Sequence, residues 1–340
     1  MDRAYDRTSP RHGAGGRCDN RPVPQTHVRR GLALVVTAAV LFGINAGVTR
    51  IPIEAGLPVS TYTTIRVTFA WLVFVAIALA FDRAALRRPR GRDLLLVLAL
   101  GIVGVAFVQW TYNVAIVRLP IGVALLLEYL APVLVVLWVR FVRREPVHPR
   151  VWPAIALALA GLALVGRVWD GLQLDGFGVL MALGAAVCFA AYFLLGEELT
   201  SSPVEPLTAL RTVVWSFGVG AIAMNVLGGW SETDALASSA SMLGRLSDLT
   251  VPAWAAMVSV VVFGTVTPFF LYLASLRHLS SAKASVTAML EPVVAVVVGW
   301  LWFSETLDPV QVAGVVAVVA GIILAQTARH VPADELPPPL

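Results

Sequence analysis

Four ionisable residues lie inside long apolar runs: Arg66, Glu128, Arg211 and Glu291. On insertion scales such a group at the centre of a bilayer costs about 3 kcal/mol, so each needs a partner or a task. Arg66 stands about seven residues in from one end of its run, and Glu128 about seven in from the same-side end of its own. At the helical rise both lie roughly 10 Å deep, which predicts that they pair. Arg211 is about five residues in from the opposite side and Glu291 about nine. That mismatch is roughly 6 Å along a helix, within reach of an arginine side chain. The expectation is two Arg–Glu pairs. Such pairs can simply lock helices together, and Arg66 has the alternative of snorkelling to the headgroups. The chemistry open to the two carboxylates is contact with a substrate amine or carriage of a proton.

Weaker candidates stand around them: Asn45, Gln109, Trp110, Asn113, Tyr129, Tyr192 and Tyr272. Gln109 and Asn113 share one helix face. With Trp110 and Tyr112 beside them they offer a cavity both aromatic surface and hydrogen-bonding groups. Helix–helix hydrogen bonds, or the interfacial belt for Trp and Tyr, are the competing uses. Pro132, Pro268 and Pro292 fall inside helical runs, where each removes a backbone bond and permits a kink. A kink serves either as a gating hinge or as a fixed bend of the bundle. No metal or cofactor is expected: CxxC, HExxH and histidine clusters are absent, and His12, His27, His148, His278 and His330 fall in tails or short connections. The lack of a nucleophile–base set argues against an enzyme, and the lack of a P-loop against nucleotide-driven work. Cys18 lies in a polar tail and Cys188 in an apolar run, so no structural disulfide is expected.

The elements that must position these residues are written in the composition. The chain has 340 residues, 58% hydrophobic and 14% charged, with mean hydropathy +0.80. Soluble domains carry about 25% charged residues, so most of this chain is expected in lipid. Ten runs suit transmembrane helices: 31–50, 59–80, 94–117, 121–140, 151–168, 176–196, 206–227, 252–276, 282–303 and 309–327. They are continuous and lack two-residue alternation, which favours helices over barrel strands. Residues 1–30 are read as a disordered cytoplasmic tail and 328–340 as a second loose end. Of 25 basic residues, 24 are Arg, and nineteen basic residues fall on the side that holds both termini, against four on the other. Both termini are therefore expected in the cytoplasm, in a multi-pass plasma-membrane protein. The net charge of +4 resides in these loop clusters and does not point to nucleic acid. The longest loop on the other side, 228–251, reads as a flexible surface loop.

The chain also matches itself. At an offset of 160, Gly104 meets Gly264, Tyr112 meets Tyr272, Pro132 meets Pro292, Glu145 meets Glu305 and Gly161 meets Gly321. At slightly smaller offsets Phe42 meets Phe189 and Arg66 meets Arg211. Two five-helix halves follow, 31–168 and 176–327, and because five is odd the second enters the membrane from the opposite side. An all-α membrane protein of ten helices in two inverted repeats is the expectation, an architecture of secondary transporters. Helices five and ten have small residues (Ala160, Gly161, Gly314, Ala320, Gly321) and few polar ones, which places them outside a central cavity, as support or as a homodimer contact.

The stretch MLEPVVAVVVGWLWFSETLDPVQVAGVVAVVAGIIL resembles the C-terminal EamA repeat of the drug/metabolite transporter superfamily, through Pro292, the Gly299–Glu305 segment, Gly314 and Gly321. Pro132, Glu145 and Gly161 form a weaker first copy, and Arg143–Arg144 stand where the second copy has Phe303–Ser304. The resemblance implies ten helices and export or exchange of small metabolites without ATP. LEYLAP, which contains Glu128, is similar to the matching segment of amino-acid exporters of that family. A secondary carrier of a small-molecule substrate, with amino acids or related compounds exported by alternating access and proton coupling as one energy source, is the leading expectation. A ligand sensor or scaffold, or a membrane-embedded enzyme, is the alternative.

Overall fold

The computed structural model describes residues 25–119, 121–168, 175–201, 206–304, 306 and 308–327. Residues 1–24 and 328–340 of the two expected tails, with Cys18, His12 and His330, lie outside the described residues, as does Glu305. Among these described residues ten apolar helices follow in order: α1 (Gln25–Glu54), α2 (Val59–Phe81), α3 (Gly91–Ile116), α4 (Val123–Val142), α5 (Val151–Val165), α6 (Gly176–Thr200), α7 (Ala209–Leu227), α8 (Ala253–Ser275), α9 (Ser281–Phe303) and α10 (Pro309–Thr327). Nine of them are long and apolar enough to cross a membrane. The exception is α5, whose 15 residues span about 22 Å against about 30 Å of hydrocarbon; its expected last turn, 166–168, leaves the helix. At the other extreme α1 starts at Gln25, inside what reads as tail.

The three prolines mark three irregularities. A proline ring clashes with the carbonyl four residues earlier and offers it no N–H. For Pro132 that carbonyl is Glu128, and α4 breaks after Glu128 and resumes at Ala131. For Pro292 it is Ala288, where α9 breaks and resumes at Leu290. Each break is closed by a tight bond, Leu130 N to Leu127 O at 3.2 Å and Met289 N to Val286 O at 3.2 Å. For Pro268 it is Gly264, and there α8 widens into a π-turn over Val262–Val266. A second π-segment, Leu100–Phe107, includes Gly104, the partner of Gly264 in the self-match. The edge where the two copies differ in side chains has one backbone: Arg144 (φ 57°) and Ser304 (φ 58°) both adopt the left-handed conformation that ends α4 and α9.

The 228–251 loop is more ordered than its Ser- and Gly-rich composition suggests. Ser239–Ser241 and Thr250–Pro252 pair as a short antiparallel hairpin, so the described chain is not purely helical. Ala240 is buried with Ile51 and Ala256. Trp302 Nε1 donates to the Met242 carbonyl at 3.0 Å, and Arg245 Nε to Ser304 Oγ at 3.0 Å. This loop defines a hairpin end of the bundle. The opposite, arginine end carries the arginine-rich segments 83–92 and 140–150.

Packing is pairwise. α1 lies on α8 and α9, α6 on α3 and α4, α2 on α7, and α5 on α10. The small residues of α5 and α10 are used for this last contact inside one chain. A Cβ on Gly314 would stand 2.7 Å from the Gly161 carbonyl oxygen, and one on Gly161 2.6 Å from the Gly314 oxygen. Gly314→Leu should therefore cost about 1–3 kcal/mol of overpacking and lower the melting temperature of the purified protein in detergent by several degrees. Gly176→Ala, with open space around it, should leave that temperature unchanged.

Candidate functional site

A cavity of about 400 Å³ lies between α1, α2, α3, α4 and α9, with α6 and α8 supplying aromatic walls. Its lining runs from Glu128 and Glu291, beside the two helix breaks, to Arg50, Ile53 and Phe303 near the hairpin end. Phe42 packs on Phe269 at 5.2 Å and on Tyr272 at 5.5 Å between ring centroids, and Tyr129 packs edge-on against Phe189 at 6.0 Å. These contacts make one side of the cavity rigid and apolar. The volume falls within the roughly 300–1,000 Å³ usual for small-molecule sites.

Nine of the sequence candidates line this space: Asn45, Arg66, Gln109, Asn113, Glu128, Tyr129, Tyr272, Glu291 and Pro292. Five do not. Tyr192 is buried and donates its hydroxyl to the Phe269 carbonyl at 3.1 Å, a helix–helix bond. Trp110 is exposed on the flank, beside a shallower pocket with Arg118. Pro132 and Pro268 are buried behind the wall. Arg211 lies at the arginine end, where Nε and Nη2 donate to the carbonyls of Arg87 and Arg88 at 3.0 and 3.2 Å.

The expected Arg–Glu pairs are therefore corrected. Arg211 turns away from Glu291 to exposed backbone carbonyls. Arg66 and Glu128 share the cavity without forming an ion pair. Arg66 Nε instead donates to Thr265 Oγ1 at 2.8 Å. Tyr129 and Glu291 line the same cavity as Arg66. Glu128 and Glu291 both line it, each beside the break of its helix. Equal depth along two helices says nothing about which way the side chains face, and that orientation decides the pairing. The cavity thus holds a guanidinium bonded to a neutral hydroxyl and, in the same space, two carboxylates. Charges in a poorly hydrated site need counter-charges. The carboxylates favour a cation or a proton between them, and the guanidinium favours an anion.

The remaining polar groups complete the wall. Asn45 Nδ2 donates to Thr49 Oγ1 at 3.2 Å, Thr49 and the Tyr62 hydroxyl share a bond of 2.9 Å, and Asn113 Nδ2 donates to Thr63 Oγ1 at 2.7 Å. The Tyr272 hydroxyl is buried and has no hydrogen-bond partner among the described residues. Sequence reading missed Thr265 and Tyr62. The one available signal for Thr265 was a hydroxyl directly after Gly264 and three residues before Pro268.

At the arginine end the bundle is shut. Glu197 of α6 accepts from Arg143, which ends α4, and from the backbone N and Oγ of Ser281, which starts α9, at 2.9 and 2.8 Å. Arg92 of α3 donates to Glu198 at 2.8 Å, and Ser201 Oγ to the Leu276 carbonyl at 2.6 Å. No described residue of this region lines the cavity. Among the described residues no three His, Cys, Asp or Glu side chains group as potential metal ligands.

With this geometry in place, comparison with other proteins is informative. The EamA-like transporter family matches residues 29–167 and again 176–327, so the chain belongs to that family. It is similar to an uncharacterized transporter of Archaeoglobus fulgidus, 26% identical over 88% of this chain and 97% of the relative. It is also similar to the threonine/homoserine exporter RhtA of Escherichia coli K12, 26% identical over 85% of this chain and 88% of that one. A solved crystal structure shares the fold with a TM-score of 0.68, at 17% identity over 88% of this chain and 96% of the other. The protein is a multi-pass membrane transporter.

The cavity geometry makes a direct prediction. In protein carrying Cys18→Ser and Cys188→Ser, a cysteine at Ala46 or Val298 should react with a bulky water-soluble maleimide at least about tenfold faster than one at the fully buried Ala288, since thiol reactivity follows access. Equal rates, read by mass spectrometry, would refute the one-sided cavity.

Proposed function

We propose that this transporter is a secondary carrier that exports amino acids or closely related compounds by alternating access. The observation that carries the reading is the charge layout of the cavity. Arg66, Glu128 and Glu291 line one small space, and among the described residues Arg66 makes no ion pair with either carboxylate, its Nε going to Thr265. An α-amino acid presents a carboxylate and an ammonium group on the same carbon. Its two ends suit the guanidinium and the carboxylates, and bridging them relieves the unpaired charge of both. Tyr272 and the Asn45–Thr49–Tyr62 chain are hydrogen-bonding groups suited to a polar side chain. The name of the RhtA relative, an exporter of threonine and homoserine, supports a small hydroxylated amino acid.

Alternating access is supported by the two ends of the bundle. The cavity reaches the hairpin end, while the Arg143–Glu197–Ser281 network closes the arginine end. Under the positive-inside reading the hairpin end is external, so this arrangement faces outward. The packing supports two inverted five-helix halves. Advancing every helix by five turns α1 on α8 and α9 into α6 on α3 and α4, and returns α2 on α7 and α5 on α10 to themselves. Gly264 of one π-segment receives Asn45 of α1, and Gly104 of the other receives Tyr192 of α6. Opening the arginine end then means releasing Glu197 from Ser281 and Arg143 as the halves exchange conformations. Glu128 and Glu291 are the groups through which a proton could drive the cycle.

The test is amino-acid counterflow in proteoliposomes. Glu128→Gln and Glu291→Gln should each cut the initial rate at least about tenfold, the usual consequence of losing a charged hydrogen-bonding partner. Unchanged rates with an unchanged pH profile would remove both carboxylates from the mechanism.

A further inference from the structure

We propose that Thr265 is a positioning residue for Arg66, and that it selects the edge of the guanidinium offered to the carboxylate of the substrate. This rests on the amino-acid reading of the cavity. Thr265 is fully buried on α8, in the second half of the chain, and Arg66 is on α2 in the first. Its hydroxyl donates to the Val260 carbonyl at 3.1 Å, five residues back. An ordinary helical threonine bonds three or four residues back, and the longer reach here belongs to the π-turn Val262–Val266. With its proton committed to Val260, the oxygen can only accept, and it accepts from Arg66 Nε at 2.8 Å.

That bond has a stereochemical consequence. A guanidinium meets a carboxylate bidentately through two N–H groups side by side. Once Nε is used, the pair left is Nη1 with Nη2. Neither has a hydrogen bond among the described residues, and Arg66 lines the cavity. The substrate carboxylate is therefore taken end-on, by two parallel bonds along the axis of the arginine side chain.

The other half supplies an internal comparison. The position matching Thr265 at the 160 offset is Val105, buried and without a side-chain acceptor. The arginine matching Arg66 is Arg211, and its Nε goes instead to the Arg87 carbonyl at the arginine end. Where the threonine is present the arginine addresses the cavity; where valine replaces it the arginine addresses a loop.

The experiment is competition of radiolabelled L-threonine counterflow in proteoliposomes by unlabelled L-threonine and by its primary amide, which keeps the ammonium and loses the carboxylate. Wild-type protein should prefer the acid. Thr265→Val, nearly the same shape, should raise the KM for threonine about tenfold or more, as expected for a lost bond to a charged group, with less change in kcat. It should also lose most of the acid-over-amide preference. Thr265→Ser should restore both. In an Arg66→Lys background, which has no planar fork, Thr265→Val should add little, because the two residues act in series. If Thr265→Val does not fold, as judged by its melting temperature, Thr265→Cys takes its place. Wild-type counterflow with an unchanged preference in Thr265→Val, or full additivity with Arg66→Lys, overturns the role of Thr265 alone. Absence of counterflow by wild-type protein with threonine or any other standard amino acid overturns the amino-acid reading and, with it, this assignment.

Discussion

Hydrocarbon offers no hydrogen bonds, so a backbone may break in mid-membrane only where protein or a polar cavity takes over the lost partners. The rest of this structure depends on that constraint. Pro132 and Pro292 interrupt α4 and α9 at the level of the cavity, and Pro268 accompanies the π-turn of α8. Each irregularity has a polar side chain at its edge: Glu128 and Tyr129 at the first, Glu291 at the second, Thr265 at the third. The polar groups of the site therefore arise where the helices are least regular. The aromatic contacts among Phe42, Phe269, Tyr272, Tyr129 and Phe189 keep those irregular segments in protein surroundings and away from lipid.

Much of this was legible before any coordinates, and the limits are instructive. Periodicity-free apolar runs locate helices well because the bilayer sets their length, and a proline announces its own defect. The carboxylates were legible because a charge in such a run is too costly to be accidental. The pairing of Arg66 with Glu128 was not legible, because a count of residues measures depth and leaves rotation about the helix axis undetermined. Arg211 shows the same limit more strongly: being close to a helix end, it had backbone carbonyls within reach that no depth estimate weighs. Thr265 was illegible because a π-turn has no compositional signature beyond a glycine and a nearby proline. The hairpin at 239–252 was missed because Ser-, Gly- and Asp-rich segments read as loop unless their few apolar residues, here Ala240 and Val251, are given something to pack on.

The two stretches that match the family model carry related backbone features and different side chains. Arg144 and Ser304 each adopt a left-handed turn, and Gly104 and Gly264 each lie in a π-segment, yet Gly104 lines the cavity whereas Gly264 receives Asn45. A duplicated scaffold supplies two equivalent positions for each residue, and divergence between the copies can assign one to binding and the other to sealing. Arg66, bonded to Thr265, lines the cavity, whereas its match Arg211 bonds to loop carbonyls at the arginine end.

The hairpin extends the same logic into the aqueous phase. Through Trp302 and Arg245 it is fastened to the end of α9, the helix whose break carries Glu291. Anything that grips the hairpin from water also holds that helix. An antibody fragment raised against residues 239–252 would therefore act as a mechanical clamp, reporting on the state of the cavity from a site that never touches the substrate.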